Sequence, residues 1–246
     1  MFKKIIFGLS LWLFATTLSF GATIDDGYSA YKKGDYKTAL SIFEDLAKKG
    51  DAKAQYNLGI MYSNGYGVKQ DYKKAIEYYE KAANQGFANA QYNLGFMYYN
   101  GQGVKQDYKK AFEWWEKAAS QGNTTAQYSL GVMYRDGEGV RQDYKKAFEW
   151  YEKAATQGYI DAQYDLGLMY HNGHGVRQDY KKAFEWTEKS AAQGFVKAQY
   201  NLGVMYDDGY GVRQDKKIAK EWFGKACDGG HQKGCDNYKI LNQQGY

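Results

Sequence analysis

An all-α solenoid of helix–turn–helix repeats is the fold class this sequence predicts, and three observations predict it. The stretch from Ala54 to Val68 returns, slightly changed, from Ala90, Ala126, Ala162 and Ala198, always 36 residues on. A fixed period in this range marks repeats that bury a core by stacking on one another. Within each copy, apolar residues recur at the three- and four-residue spacing of amphipathic helices. The 246 residues include 29 glycines and no proline, so glycine alone makes the turns. Length by itself would allow one or two globular domains. The five copies, residues 51–86, 87–122, 123–158, 159–194 and 195–230, overrule that prior as one quasi-linear unit.

Met1 to Gly21 reads as a secretory signal peptide. Lys3 and Lys4 form its basic start, Ile5 to Leu18 its apolar core, and Ser19-Phe20-Gly21 a cleavage site before Ala22. An uncleaved anchor is the alternative, but the apolar run falls short of the roughly 20 residues a span needs. Cleavage leaves no stable membrane anchor and directs the chain to the periplasm or the outside. Residues 22–50 resemble a shortened copy: Asp35-Tyr36-Lys37-Thr38-Ala39 matches Asp71-Tyr72-Lys73-Lys74-Ala75, with five loop residues missing. A capping helix pair around the tight turn Lys33-Gly34-Asp35 follows, since an array needs an atypical end unit.

Each full repeat reads as two helices. Helix A spans about Ala52 to Ser63, with Ala54, Leu58, Met61 and Tyr62 on one stripe. Asn64-Gly65-Tyr66-Gly67 ends it, and Asp71 is placed to cap helix B, which runs from Tyr72 to Asn84. The expected buried stripe of helix B is Ala75, Tyr78, Tyr79, Ala82 and Ala83, with Lys73–Glu77 and Glu77–Lys81 pairs outside. Gly59 lies mid-helix, where it costs about 1 kcal/mol relative to alanine. Its return as Gly95, Gly131, Gly167 and Gly203 implies a close approach of helix B. The ring series Tyr78, Trp114, Trp150, Trp186 and Trp222 is the expected filler of that gap.

The recurring Ala-Gln-x-x-Leu-Gly-x-Met-Tyr, the Gly-x-Gly-Val-x-x-Asp-x-x-Lys-Ala and the Lys-Ala-Ala-x-Gln-Gly together resemble the Sel-one-like repeat, a relative of the tetratricopeptide repeat. The resemblance covers 51–230 and implies a right-handed superhelix. It further implies an adaptor or scaffold whose concave side holds another protein or a peptide.

Cys227 stands at the alanine position near the end of the last helix B, and Cys235 at the Gln55 position of a final helix from about His231 to Gln243. Adjacent ends of a helix hairpin bring such positions close, and export implies an oxidising compartment, so a disulfide is expected. A Cys/His metal site with His231 is the alternative, with a poor ligand spacing. The Cys-x7-Cys element resembles the cysteine-rich, Hcp-like exported branch of the same family. Some members of that branch are classed as penicillin-binding proteins or β-lactamases, which makes a β-lactam-recognising protein the second reading.

The residues give that second reading little support. One Ser-x-x-Lys exists, Ser29-Ala30-Tyr31-Lys32, without Ser-Asp-Asn or Lys-Thr-Gly companions. His171 and His174 share one loop, and no other repeat has histidine there. No catalytic residue, metal site or cofactor is therefore assigned. The formal charge of +5, spread over 33 basic and 28 acidic residues, does not suggest nucleic acid.

What remains is a surface. On a helical wheel, Tyr56 and Ile60 lie opposite Leu58, toward the hollow of the superhelix. The candidate binding stripe is thus Tyr56, Tyr92, Tyr128, Tyr164 and Tyr200, with Ile60, Phe96, Val132, Leu168 and Val204. Its polar neighbours vary: Lys, Asn, Thr, Asp, Lys at position 53 and its equivalents, and Ser, Tyr, Arg, His, Asp at position 63. The tyrosines offer large contact area to an extended peptide. Packing of helix A on helix A is the other use they could have. The sequence thus reads as a monomeric scaffold for a protein or peptide partner.

Overall fold

A computed structural model describes residues 21–246; the leader, apart from Gly21, lies outside them. Thirteen helices and no strands occur among the described residues. In chain order they are α1 (Ile24–Lys32), α2 (Tyr36–Lys48), α3 (Ala52–Asn64), α4 (Tyr72–Asn84), α5 (Ala88–Asn100), α6 (Tyr108–Ser120) and α7 (Thr124–Asp136). They continue with α8 (Tyr144–Thr156), α9 (Ile160–Asn172), α10 (Tyr180–Ala192), α11 (Val196–Asp208), α12 (Lys216–Asp228) and α13 (Gln232–Gln243). Each helix packs on the one before and the one after it, which makes an α/α solenoid.

The local chemistry explains the boundaries. Asp71, Asp107, Asp143, Asp179 and Asp215 each accept a backbone N–H of their helix's first turn. Helix A of every full repeat ends in a left-handed glycine, the first of the Gly-x-Gly pair. The second glycine is also left-handed and is pressed onto the preceding repeat. A methyl group on Gly103 would lie 2.7 Å from Tyr72, and one on Gly139 would lie 2.7 Å from Tyr108. That loop is therefore part of the stacking surface.

Two expectations about helix B are corrected. The ring against the mid-helix glycine comes one residue later than Tyr78 and its equivalents. It is Tyr79 at Gly59, Trp115 at Gly95, Tyr151 at Gly131 and Phe223 at Gly203. These four rings are buried, whereas Tyr78 is only half-buried and Ile76 takes its place in the core. The second correction concerns the charges: none of the expected Lys–Glu pairs closes among the described residues. Lys81 and its equivalents lie over rings instead, with Lys117 4.0 Å from the Trp114 ring, Lys153 3.9 Å from Trp150 and Lys225 3.8 Å from Trp222. An exposed ion pair offers little in water, while a lysine stem laid along an indole also covers apolar surface.

A feature the sequence reading did not single out fastens repeat to repeat. Gln55, Gln91, Gln127 and Gln163 are buried polar residues. The Gln91 amide donates to the Ala83 carbonyl of the preceding helix B (3.1 Å) and accepts from Gln121 of its own helix B (2.8 Å). The same two bonds recur at Gln127 and at Gln163. A buried amide costs free energy unless it is paired, so each glutamine fixes three helices at once.

Candidate binding face

Helix A residues carry a pocket at each of three successive joints. Between repeats two and three, a cavity of about 230 Å³ is lined by Tyr92, Phe96, Trp115, Tyr128 and Val132, among others. Between repeats three and four, one of about 140 Å³ is lined by Arg135, Tyr151, Asp165, Leu168 and His174, with others. Between repeats four and five, a further 230 Å³ opens beside Leu168 and Val204. Equivalent positions of helix A thus build all three.

The predicted stripe divides between these pockets and the packing beneath them. Tyr92, Phe96, Tyr128 and Val132 meet in the first pocket, and Phe96 is 43 % exposed. Leu168 reaches both later pockets, and Val204 reaches the last. Tyr56 and Ile60 pack instead against the cluster around Ala75, Tyr79 and Leu94. Tyr164 lies 5.1 Å from the Phe195 ring, and Tyr200 lies 4.3 Å from that of His231. Every tyrosine of the stripe is half-buried, so one edge of each ring packs and the other faces solvent.

The middle pocket holds a polar cluster. The Arg135 guanidinium donates two bonds of 2.8 Å to Asp136 and stands 3.6 Å from Asp165. The Tyr128 hydroxyl donates to Asp165 (3.1 Å). Burial pushes the Asp165 carboxyl above its ordinary range, partly offset by Arg135 and Tyr128. Burial, and then the nearby Asp165 charge, raise the Tyr128 phenol. The bond to Arg135 holds Asp136 low. The Tyr151 hydroxyl is buried beside this cluster with no hydrogen-bond partner among the described residues. Asp165 stands where repeats one, two and five carry Asn57, Asn93 and Asn201. Repeat three carries Ser129 there, so the acid at Asp165 was the signal available in the sequence, and its role emerges only when Arg135 arrives from the preceding repeat.

The other candidates have structural roles. Cys227 and Cys235 form a disulfide, with Cα atoms 4.5 Å apart. His231 caps α13, its Nδ1 accepting from the Gly234 N–H at 3.2 Å. His174 stacks on Tyr144, and His171 packs edge-on against Tyr180 and Tyr210. Ser29 and Lys32 are exposed on α1. Among the described residues, no group of three or more His, Cys, Asp or Glu is placed to hold a metal ion, and no helix is long and apolar enough to cross a membrane.

The Sel1 repeat family model matches the chain five times, at residues 52–87, 88–123, 124–159, 160–195 and 196–231. The chain belongs to the Sel1 repeat family. Among solved structures it is similar to c5321, a protective antigen of uropathogenic Escherichia coli with the same fold. That match has 38% identity and a TM-score of 0.88, over 90% of this chain and 48% of the antigen. The chain therefore spans about half the length of that relative. A Sel1 repeat protein of Oxalobacter formigenes is similar at 32% identity and a TM-score of 0.80, over 84% of this chain and 85% of that one. A Sel1 repeat protein of Klebsiella pneumoniae matches at 28% identity and a TM-score of 0.50, over 82% and 99%. No curated protein sequence matches the chain. At the level of the family, Sel1 repeat proteins are scaffolds for protein interaction.

Proposed function

We propose that this protein is an exported scaffold that holds an extended segment of a partner protein along the helix A face of repeats two to five. It performs no catalysis of its own. The observation that carries this reading is the row of three pockets at equivalent joints, built on one scaffold from unlike residues. A repeated framework with changing pocket walls reads different side chains along one segment, as specificity by pockets requires. Export rests on the leader-like residues 1–21 and agrees with the disulfide, which persists in oxidising compartments.

The test is affinity capture from the native envelope with Phe96→Asp/Val132→Asp, alongside an exposed control, Lys109→Glu on α6. With circular dichroism equal to the parent's, the double variant should lose the partners that parent and control retain. Identical partners on all three proteins would overturn the proposal.

A further inference from the structure

Of the three pockets, the one between repeats four and five alone reaches the mid-helix glycine, and it does so where repeat four departs from its siblings. At the place where Tyr79, Trp115, Tyr151 and Phe223 lie on their mid-helix glycines, repeat four carries Thr187 against Gly167. A threonine is far smaller than the rings it replaces, and the neighbourhood has not closed over the difference: a cavity of about 230 Å³ remains beside Gly167 and Ala183. A second observation agrees. In the other four repeats the stripe tyrosine has this ring as a neighbour, as in Tyr56–Tyr79, Tyr92–Trp115, Tyr128–Tyr151 and Tyr200–Phe223. Tyr164 has lost that neighbour and keeps only the Phe195 ring.

We propose that this cavity is a binding site for an aromatic ring, a phenol or an indole, carried by a side chain of the bound segment. The proposal rests on the scaffold reading above and names one residue class of its partner. The shape argument is internal to the molecule. Four times over, the chain fills the equivalent place with a ring pressed against a glycine that has no Cβ to obstruct it. In repeat four the glycine floor is kept and the ring is missing, although a bare mid-helix glycine costs stability. The volume suffices, since an apolar cavity of about 150 Å³ already takes up benzene. Leu168, Val204 and Met205 supply apolar walls. The Thr187 hydroxyl is the atom nearest a Cβ built on Gly167, and it stands with Asn201 and His171 as a polar partner for a phenol O–H or an indole N–H.

Indole, p-cresol and the pentapeptide Gly-Gly-Trp-Gly-Gly are the probes, titrated into the full chain and followed by amide NMR shifts. All three should move the Gly167, Thr187 and Val204 signals saturably, with the peptide binding at least as tightly as free indole. Thr187→Tyr restores the ring of repeats one and three and should weaken every probe by tenfold or more while raising the melting temperature. Thr187→Val keeps the space open and should retain indole. No saturable shift in the parent, or equal binding by Thr187→Tyr, would overturn the site. Tighter binding of free indole than of the peptide would overturn the side-chain source. Partners captured equally by Thr187→Tyr but lost from Phe96→Asp/Val132→Asp would overturn this site and leave the scaffold reading standing.

Discussion

The joints between interior repeats and the joint at the C-terminal end use equivalent positions and fasten them differently. In the interior, the Ala83 carbonyl accepts from Gln91, and Gln91 is braced in turn by Gln121 of the following helix. At the end, the same two positions are Cys227 and Cys235, joined covalently. One joint earlier the brace is already gone: Gln199 keeps its bond to the Ala191 carbonyl, but Gly229 stands where Gln85, Gln121, Gln157 and Gln193 brace the earlier glutamines. An interior helix A is packed from both sides, by the helix B before it and its own helix B after it. Among the described residues α13 has a neighbour on one side only. A hydrogen bond worth about 1 kcal/mol serves where stacking does most of the holding. A helix packed on one face needs a stronger link.

The largest test of this contrast is reduction of the disulfide. In the chain-entropy model its short loop contributes roughly 2–3 kcal/mol. Reduction, or Cys235→Ala, should therefore release α13 first, seen as fast hydrogen exchange over 232–243 with the interior repeats still protected. Uniform loss of protection along the whole array would break the comparison. Next comes Gln91→Leu, which takes one of two donors from the Ala83 carbonyl, the Gly86 N–H remaining at 2.9 Å, and frees the exposed Gln121 amide. A cost of about 1 kcal/mol in denaturant unfolding is expected, the ordinary net worth of such a bond.

Asp165→Asn sharpens the contrast among interior joints, since Asn57, Asn93 and Asn201 mark what the position ordinarily holds. Because burial raises the folded-state carboxyl above its unfolded value near 3.8, the folded state holds the proton more tightly. Its favourable contribution is present at low pH and is lost as pH rises from about 4 through the folded-state value. The variant should remove that slope from a melting-temperature profile and melt above the parent at neutral pH. A steeper slope in Asp165→Asn would contradict the burial argument. The smallest effect belongs to Ala119→Cys/Gln127→Cys, which grafts the terminal link onto an interior joint. The bond should form, yet the melting temperature should barely change, because the gain is offset by the loss of two amide bonds already in place.

Much of this architecture was legible in the sequence. The period gave the repeats, the aspartates and glycines gave the helix ends, and the Cys227–Cys235 pairing followed from position. The ring at Gly59 was misplaced by one residue because Tyr78 and Tyr79 are both aromatic and only 100° apart on the wheel. A clue lay in Thr187, whose small size marks the position where a ring matters. The glutamines were overlooked because a polar residue reads as surface when taken alone. Their partners lie 30 residues away, one residue before the Gly that ends each repeat, and recur as regularly as the motif itself. The Arg135–Asp165 pair had no such regularity, since each residue occurs in one repeat only.

The glutamine ladder also acts as a ruler for the length of the chain. Each rung joins an amide to a carbonyl from one repeat before and to an amide from its own repeat. Removing or duplicating 36 residues between equivalent positions hands each of these rungs an identical partner and leaves none of their amides alone. Any other number throws the whole ladder out of step. Array length can thus change only in whole repeats, with the cystine-clamped end carried along unchanged.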